Sequence, residues 1–300
     1  MFHTCKPGDT VAIVATARKI TRAEVEPAVI DLENRGYQVI LGPNLFETCN
    51  QFAGTVDQRL EALQWALDHP DVSLIWCARG GYGTMQLMDR LLIDREKLKK
   101  KTLAGFSDIT ALHLWFNALE IPTVHSTMPL SWPTNTDLCR NLFFETIEGK
   151  AINYLWTPSH PGRNGIAAGK LMGGNLSLIY ALMGTPYFPD LTGAILFLED
   201  LDEYRYHIDR MMTALRLKGV LGQLAGLVVG GMTDMKDNSV SYGMSVEEII
   251  LSKVADYQYP VVFDAPAGHI NNNLSLRFGV PYQLQVDDQS GKLTEVQAFT

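Results

Sequence analysis

Residues 101–119 read "KTLAGFSDITALHLWFNAL", and the order of residue types in this stretch sets the fold class. Residues 101–107 form a short, largely apolar run of strand length. From 109 to 119 the apolar residues recur at helical spacing instead. Gly105, Ser107 and Asp108 occupy the corner between the two patterns. A turn from strand into helix leaves one side chain at its apex and aims the first backbone N–H groups of the helix outward.

The same alternation continues on both sides of this corner. Strands are expected at "TVAIVATA" (10–17), "YQVILGP" (37–43), "VSLIWCA" (72–78) and "PTVHSTM" (122–128). Between them, helices are expected over 21–36, over 56–69 until Pro70 stops it, and near 84–93. Strands alternating with helices imply a parallel sheet covered on both faces. From about 131 to 168 the pattern breaks into proline, asparagine and glycine, including "WPTNTD" and "TPSHPGRNG", which reads as an interdomain crossing. The expected division is an N-terminal domain over 1–135, a crossing over 136–168 and a C-terminal domain over 169–300. In the last of these, short strand-like runs at 194–199, 224–232 and 259–265 mix with helices at 174–183, 206–217 and 245–256. A hairpin over 281–299, with Ser290 and Gly291 in its turn, ends the chain. That texture is α+β with a mixed sheet.

Composition narrows the function classes. The chain has 300 residues, 46% hydrophobic and 19% charged, the profile of a globular protein. Its formal net charge of −8 argues against a general nucleic-acid binder. Of its basic residues, Lys97 and Lys99–Lys101 form the dense patch, which reads as a solvated helix end. Cys5, Cys49, Cys77 and Cys139 are spread apart without metal-ligand or disulfide-framework spacing. The N-terminal apolar run is about seven residues long, far short of the ~20 of a membrane span, and is not ordered like a signal peptide. A cytoplasmic protein with no membrane partner is expected.

In an open parallel sheet, ligands gather at the carboxyl ends of the strands. Two segments fall there. "CARGGYGTM" (77–85) has glycines that can bring backbone N–H groups close to negative charge. Its spacing matches neither a dinucleotide nor a phosphate-loop fingerprint, and a tight structural turn remains an equal reading. Ser107 has the strand-then-helix context of a nucleophile elbow, with Ile109 where the second glycine of that motif would stand. A helix N-cap is the competing reading of Ser107. Among seven histidines, His269 stands out, in the loop "DAPAGHINNN" after a strand, and His125 lies at the end of a strand beside the same cleft. Glu199 ends the apolar run "AILFLE", where a buried charge needs a partner. That partner is either an imidazole or, in the plainer reading, Arg205 or Arg210.

Taken together, "KPGDTVAIVA", "FAGTVDQRLEALQWALDHPDVSLIWCARGGYG", "GFSDITALH", "GGNLSLIYALMGTP", "LFLEDLDEYRYHIDRMM" and "PAGHINNN" resemble, through nearly the whole chain, the LD-carboxypeptidase family of serine peptidases. The resemblance implies a Rossmann-like N-terminal domain without a nucleotide, a smaller C-terminal α+β domain and an active site at their interface. It implies a triad of Ser107, Glu199 and His269, with an oxyanion hole from the N–H groups of Asp108 and Gly81. Arg79, Gly80 and His125 are the further candidates for substrate contact. It also implies a small peptide substrate such as murein tetrapeptide, cleaved at an L,D-peptide bond, with no metal or organic cofactor and a homodimeric state. One departure is that the family commonly places glycine after the histidine, whereas this chain has Ile270. Two other readings stand beside this one: a microcin-immunity-type peptidase acting on peptidyl or aminoacyl nucleotides, and a non-catalytic two-domain small-molecule-binding protein. A general serine esterase is a third, disfavoured by the incomplete elbow motif.

Overall fold

The run "TVAIV" becomes β1 (Thr10–Val14), buried at all five positions, as a strand covered on both faces must be. The computed structural model describes residues 2–296, and the chain folds as two compact units. Among the described residues, the first holds 2–150 and 271–277; the second holds 151–270 and 278–296.

In the first unit, β1 is followed by α1 (Arg22–Asn34), β2 (Gln38–Leu41), α2 (Val56–Asp68), β3 (Val72–Cys77), α3 (Arg95–Leu98), β4 (Thr102–Gly105), α4 (Thr110–Ala118), β5 (Thr123–His125) and α5 (Asp137–Ile147). Local chemistry sets the helix starts. Thr21 with Glu24, and Thr55 with Gln58, form reciprocal capping boxes on α1 and α2. Strands β1 to β5 pair in parallel in the order β2-β1-β3-β4-β5, and the later strand Leu276–Phe278 lies beside β5. The order reverses between β1 and β3, so their carboxyl ends flank the switch point where such sheets bind ligands. The loop after β3 is the glycine-rich one.

The second unit contains β6 (Asn153–Trp156), β7 (Gly165–Asn175), α6 (Leu176–Leu182), β8 (Ile195–Leu201), α7 (Arg205–Leu217), β9 (Gly226–Thr233), α8 (Val246–Lys253) and β10 (Val261–Val262). After β11 (Leu276–Phe278, the strand already placed beside β5), β12 (Pro281–Val286) and β13 (Gly291–Glu295) end the described chain. The sheet order is β10-β9-β8-β7-β12-β13-β6. Pairing is parallel from β10 to β7 and antiparallel from β7 to β6. The mixed sheet is therefore present. The β12–β13 hairpin turns over 287–290, with Gly291 opposite Val286; residues 297–299 of the expected hairpin lie outside the described residues.

Four expectations need correction. Residues 84–93 contain a 3₁₀ turn at Thr84–Leu87 rather than an α-helix; the Thr84 N–H donates to Asp108 instead of starting a helical ladder. The stretch 136–168 is not irregular throughout, since it carries α5, β6 and the start of β7. The expected strand 259–265 shrinks to the two residues of β10. Lys101 is not solvated: its Nζ is drawn inward to donate to the Val72 carbonyl at 2.9 Å, and burial lowers its pKa.

Candidate active site

Ser107 sits just past the carboxyl end of β4 with φ of 63°, a left-handed conformation that a residue bearing a Cβ rarely adopts. It opens a 3₁₀ turn, Ser107–Ile109, that runs into α4. Ile109, not Ser107, is the N-cap of α4, so the capping reading of the serine does not describe this turn. The sharp strand-to-helix bend is that of a nucleophile elbow. The missing second glycine is accounted for locally. Gly105, at φ 154°, leaves room for Ile109, whose Cγ1 would lie 2.9 Å from any Cβ there.

The glycine-rich loop packs directly on this turn. A Cβ at Gly80 would stand 2.9 Å from Ser107 Cβ, 3.0 Å from its Oγ and 3.3 Å from the Asp108 nitrogen. Only glycine admits that approach. Gly81 (φ 116°) and Gly83 (φ 142°) are also left-handed. Asp108 locks the turn to the loop, with Oδ2 accepting from the Thr84 N–H at 2.8 Å. Its carboxyl pKa is raised, chiefly by burial, against the pull of the Thr84 bond and Arg59. Arg59 clamps the loop from α2, donating to the carbonyls of Thr16 and Gly83, both at 2.9 Å, and to Gln86.

Glu199 and His269 meet within the second unit. Glu199, on β8, is fully buried, and its Oε2 lies 2.6 Å from His269 Nδ1. A carboxylate can only accept here, so Nδ1 carries the proton and Nε2 is the basic nitrogen. Burial pulls the His269 pKa down, but the charge and hydrogen bond of Glu199, with Asp200 behind it, outweigh burial and leave it raised. The plainer reading of Glu199 fails: Arg205 pairs with Asp237, and Arg210 lies over the Tyr206 ring.

Glycines again permit the geometry. At Gly268 (φ 112°) a Cβ would fall 2.8 Å from Glu199 Cβ, and at Gly230 it would fall 2.4 Å from the Ala267 carbonyl. Gly231 receives Ile270, whose Cγ2 would lie 2.8 Å from a Cβ. The isoleucine that follows His269 thus has its own seat on β9. Asp200, next to Glu199, accepts from Asn175 Nδ2, the Ser177 N–H and Oγ, and the Leu201 N–H, each at 2.9 Å. Burial and the neighbouring Glu199 push its pKa up to about 6.

Of the remaining candidates, Gly80 faces the serine as described, and Arg79 donates from Nη1 to the Lys19 carbonyl. His125 is fully buried, its ring 5.8 Å from that of Phe106, so burial places it behind the elbow rather than on an exposed wall. Sequence reasoning missed Arg59, yet the signal was there. Arg59, Ala62, Leu63, Ala66 and Leu67 are the buried stripe of α2, and a cation on that stripe at helical spacing implies a buried polar target. Among the described residues, no cluster of three or more His, Cys, Asp or Glu side chains is placed to hold a metal ion, and no helix is long and apolar enough to cross a membrane.

Comparison with known proteins supplies the context. Residues 11–126 match the LD-carboxypeptidase N-terminal domain and residues 168–284 the LD-carboxypeptidase C-terminal domain. The murein tetrapeptide carboxypeptidase of Pseudomonas aeruginosa is 31% identical, over 92% of this chain and 94% of that protein. The microcin C7 self-immunity protein MccF of Escherichia coli is 23% identical, over 96% and 94%. The crystal structure of muramoyltetrapeptide carboxypeptidase from Oxalobacter formigenes superposes with a TM-score of 0.86 at 27% identity, covering 97% of this chain and 100% of that one.

Proposed function

This chain belongs to the LD-carboxypeptidase family, and on that premise we propose that it is a serine peptidase releasing terminal D-alanine from murein tetrapeptide. The triad is Ser107 from the N-terminal domain with Glu199 and His269 from the C-terminal domain. His269 Nε2 takes the Ser107 proton as Oγ attacks the carbonyl of the L,D-peptide bond. The N–H groups of Asp108 and Gly81 stabilise the oxyanion, a contribution of roughly 3–4 kcal/mol per donor in favourable sites. As the intermediate collapses, His269 passes its proton to the leaving nitrogen and D-alanine departs. Water, deprotonated by His269, then attacks the acyl-serine, and the proton returns to Oγ.

The observation that carries this reading is the 2.6 Å contact between His269 Nδ1 and the buried Glu199. It fixes the tautomer a general base requires and holds charge ready for the imidazolium. The reading places a homodimeric enzyme in the cytoplasm, in cell-wall recycling, with no metal or organic cofactor. A fluorophosphonate probe tests it. Stoichiometric labelling of Ser107 that is lost in His269→Ala supports the peptidase. An inert Ser107 in folded protein favours a two-domain small-molecule-binding protein instead.

The match to MccF over nearly the whole chain favours one second reading, a peptidase acting on aminoacyl or peptidyl nucleotides through the same three residues. Competition between murein tetrapeptide and an aminoacyl-sulfamoyl adenosine separates the two. The first reading expects turnover of the peptide; the second expects turnover of the nucleotide compound alone.

A further inference from the structure

Beside the glycine-rich loop, the first unit contains a cavity of about 490 Å³ walled by Lys19, Thr21, Arg22, Glu24, Phe46 and Arg79. Three cations and one carboxylate share it, in a chain whose net charge is −8. Lys19, Arg22 and Arg79 form no ion pair among the described residues. Glu24 is already engaged, its Oε2 accepting from the Thr21 N–H at 2.7 Å and from the Thr21 hydroxyl at 2.8 Å. Arg22 is steered by Phe46, its guanidinium carbon 4.8 Å from the ring centroid. Arg79 is tethered to the Lys19 carbonyl at 2.9 Å. Burial, and then the charge of Arg18, work against the Arg79 cation, with Glu24 only partly offsetting them. The cavity also lies at the amino end of the thirteen-residue α1, where the helix dipole favours an anion.

We infer that this cavity is the subsite for the free terminal carboxylate of the substrate, read by Arg79 and Arg22 with Lys19 adding charge. The inference rests on the proposed carboxypeptidase reading, which it deepens. Arg79 is bonded to Gly80, where a Cβ would stand 3.0 Å from Ser107 Oγ and 3.3 Å from the Asp108 nitrogen. In a carboxypeptidase substrate, only the nitrogen and α-carbon of the terminal residue separate its carboxylate from the attacked carbonyl. An anion site one residue from the glycine that faces the nucleophile therefore suits that carboxylate. A guanidinium presents a planar donor fork that matches a carboxylate. The subsite would select peptides with a free terminus and reject internal peptide bonds.

The test is equilibrium binding to Ser107→Ala by calorimetry, with L-Ala-γ-D-Glu-diaminopimelate-D-Ala, its C-terminal amide and inorganic phosphate as probes. The peptide acid is expected to bind about 10–100-fold more tightly than the amide, the range for charged hydrogen bonds. Adding Arg79→Met or Arg22→Met should remove most of that preference, the affinity for the acid falling toward that for the amide. Equal binding of acid and amide to Ser107→Ala overturns the inference, as does a preference that survives both substitutions. Phosphate bound tightly, with no gain of acid over amide, also overturns it, in favour of a phosphate-bearing ligand. Turnover by the unsubstituted chain is a separate readout. A chain that prefers the acid yet cleaves nothing retains the subsite and loses the peptidase reading; one that cleaves the peptide without preferring the acid does the reverse.

Discussion

His269 stands between two demands that pull its proton in opposite directions. Burial disfavours the imidazolium, while Glu199 and Asp200 favour it, and the balance leaves the pKa raised. As the proposed general base, His269 must be neutral, so kcat/KM should rise with pH through an apparent pKa higher than that of a free histidine. Glu199→Gln should shift this limb to lower pH and reduce kcat by about 10³–10⁴-fold, as loss of the triad carboxylate does elsewhere. Stability runs the other way. A pKa raised on folding stabilises fully below the unfolded value and is lost as pH rises through the folded one. Urea denaturation should therefore find Glu199→Gln more destabilising at about pH 6 than at about pH 9. An unchanged pH profile would remove Glu199 from this role. Ser107 supplies a second residue-scale prediction, because its φ of 63° is strained for any side chain bearing a Cβ. Ser107→Gly should unfold at higher temperature than Ser107→Ala, by the equivalent of about 1 kcal/mol, with both inactive. Equal melting temperatures would mean the elbow stores no strain.

Elements place these residues by letting backbones come close. Gly80 lets the loop after β3 rest on Ser107, while Gly230, Gly231 and Gly268 let the histidine loop rest on β8 and β9. The strand–helix alternation of the first unit was legible in the sequence because β1 and β3 are almost wholly buried apolar runs and α1 and α2 begin with capping boxes. Strand β7, "GIAAGKLMGGN", was not, since its glycines and alanines carry little strand propensity. Its place comes from pairing with β12 and β8, far along the chain. The helix expected near 84–93 failed because side chains from α2 and from the turn before α4 hold that segment. Arg59 is the element-scale test. Arg59→Met leaves the Thr16 and Gly83 carbonyls without this donor and should destabilise by about 1–3 kcal/mol. Turnover should fall through disorder of the loop, while Ser107 and His269 stay chemically intact. Unaltered stability and turnover would show that the clamp is dispensable.

At the scale of the whole molecule, the proposed triad draws on residues far apart in the chain. Ser107 belongs to the first unit, and Glu199 and His269 belong to the second. The chain re-enters the first unit at Asn271, two residues beyond His269. There the Asn271 carbonyl accepts from Asn135 Nδ2 at 2.9 Å, and Asn272 Oδ1 accepts from the Thr136 hydroxyl at 3.0 Å. Spacing alone left Glu199 between an arginine and an imidazole, because pairing across seventy residues is written in tertiary structure. Resemblance across nearly the whole chain was what singled out the three residues together. The direct measurement is D-alanine release from L-Ala-γ-D-Glu-diaminopimelate-D-Ala by the unsubstituted chain, Ser107→Ala and Glu199→Gln. Release by the first is expected, with losses of about 10³-fold or more in both variants. Folded, unsubstituted protein that releases no D-alanine, or a Ser107→Ala variant that releases it at the original rate, would contradict the assignment.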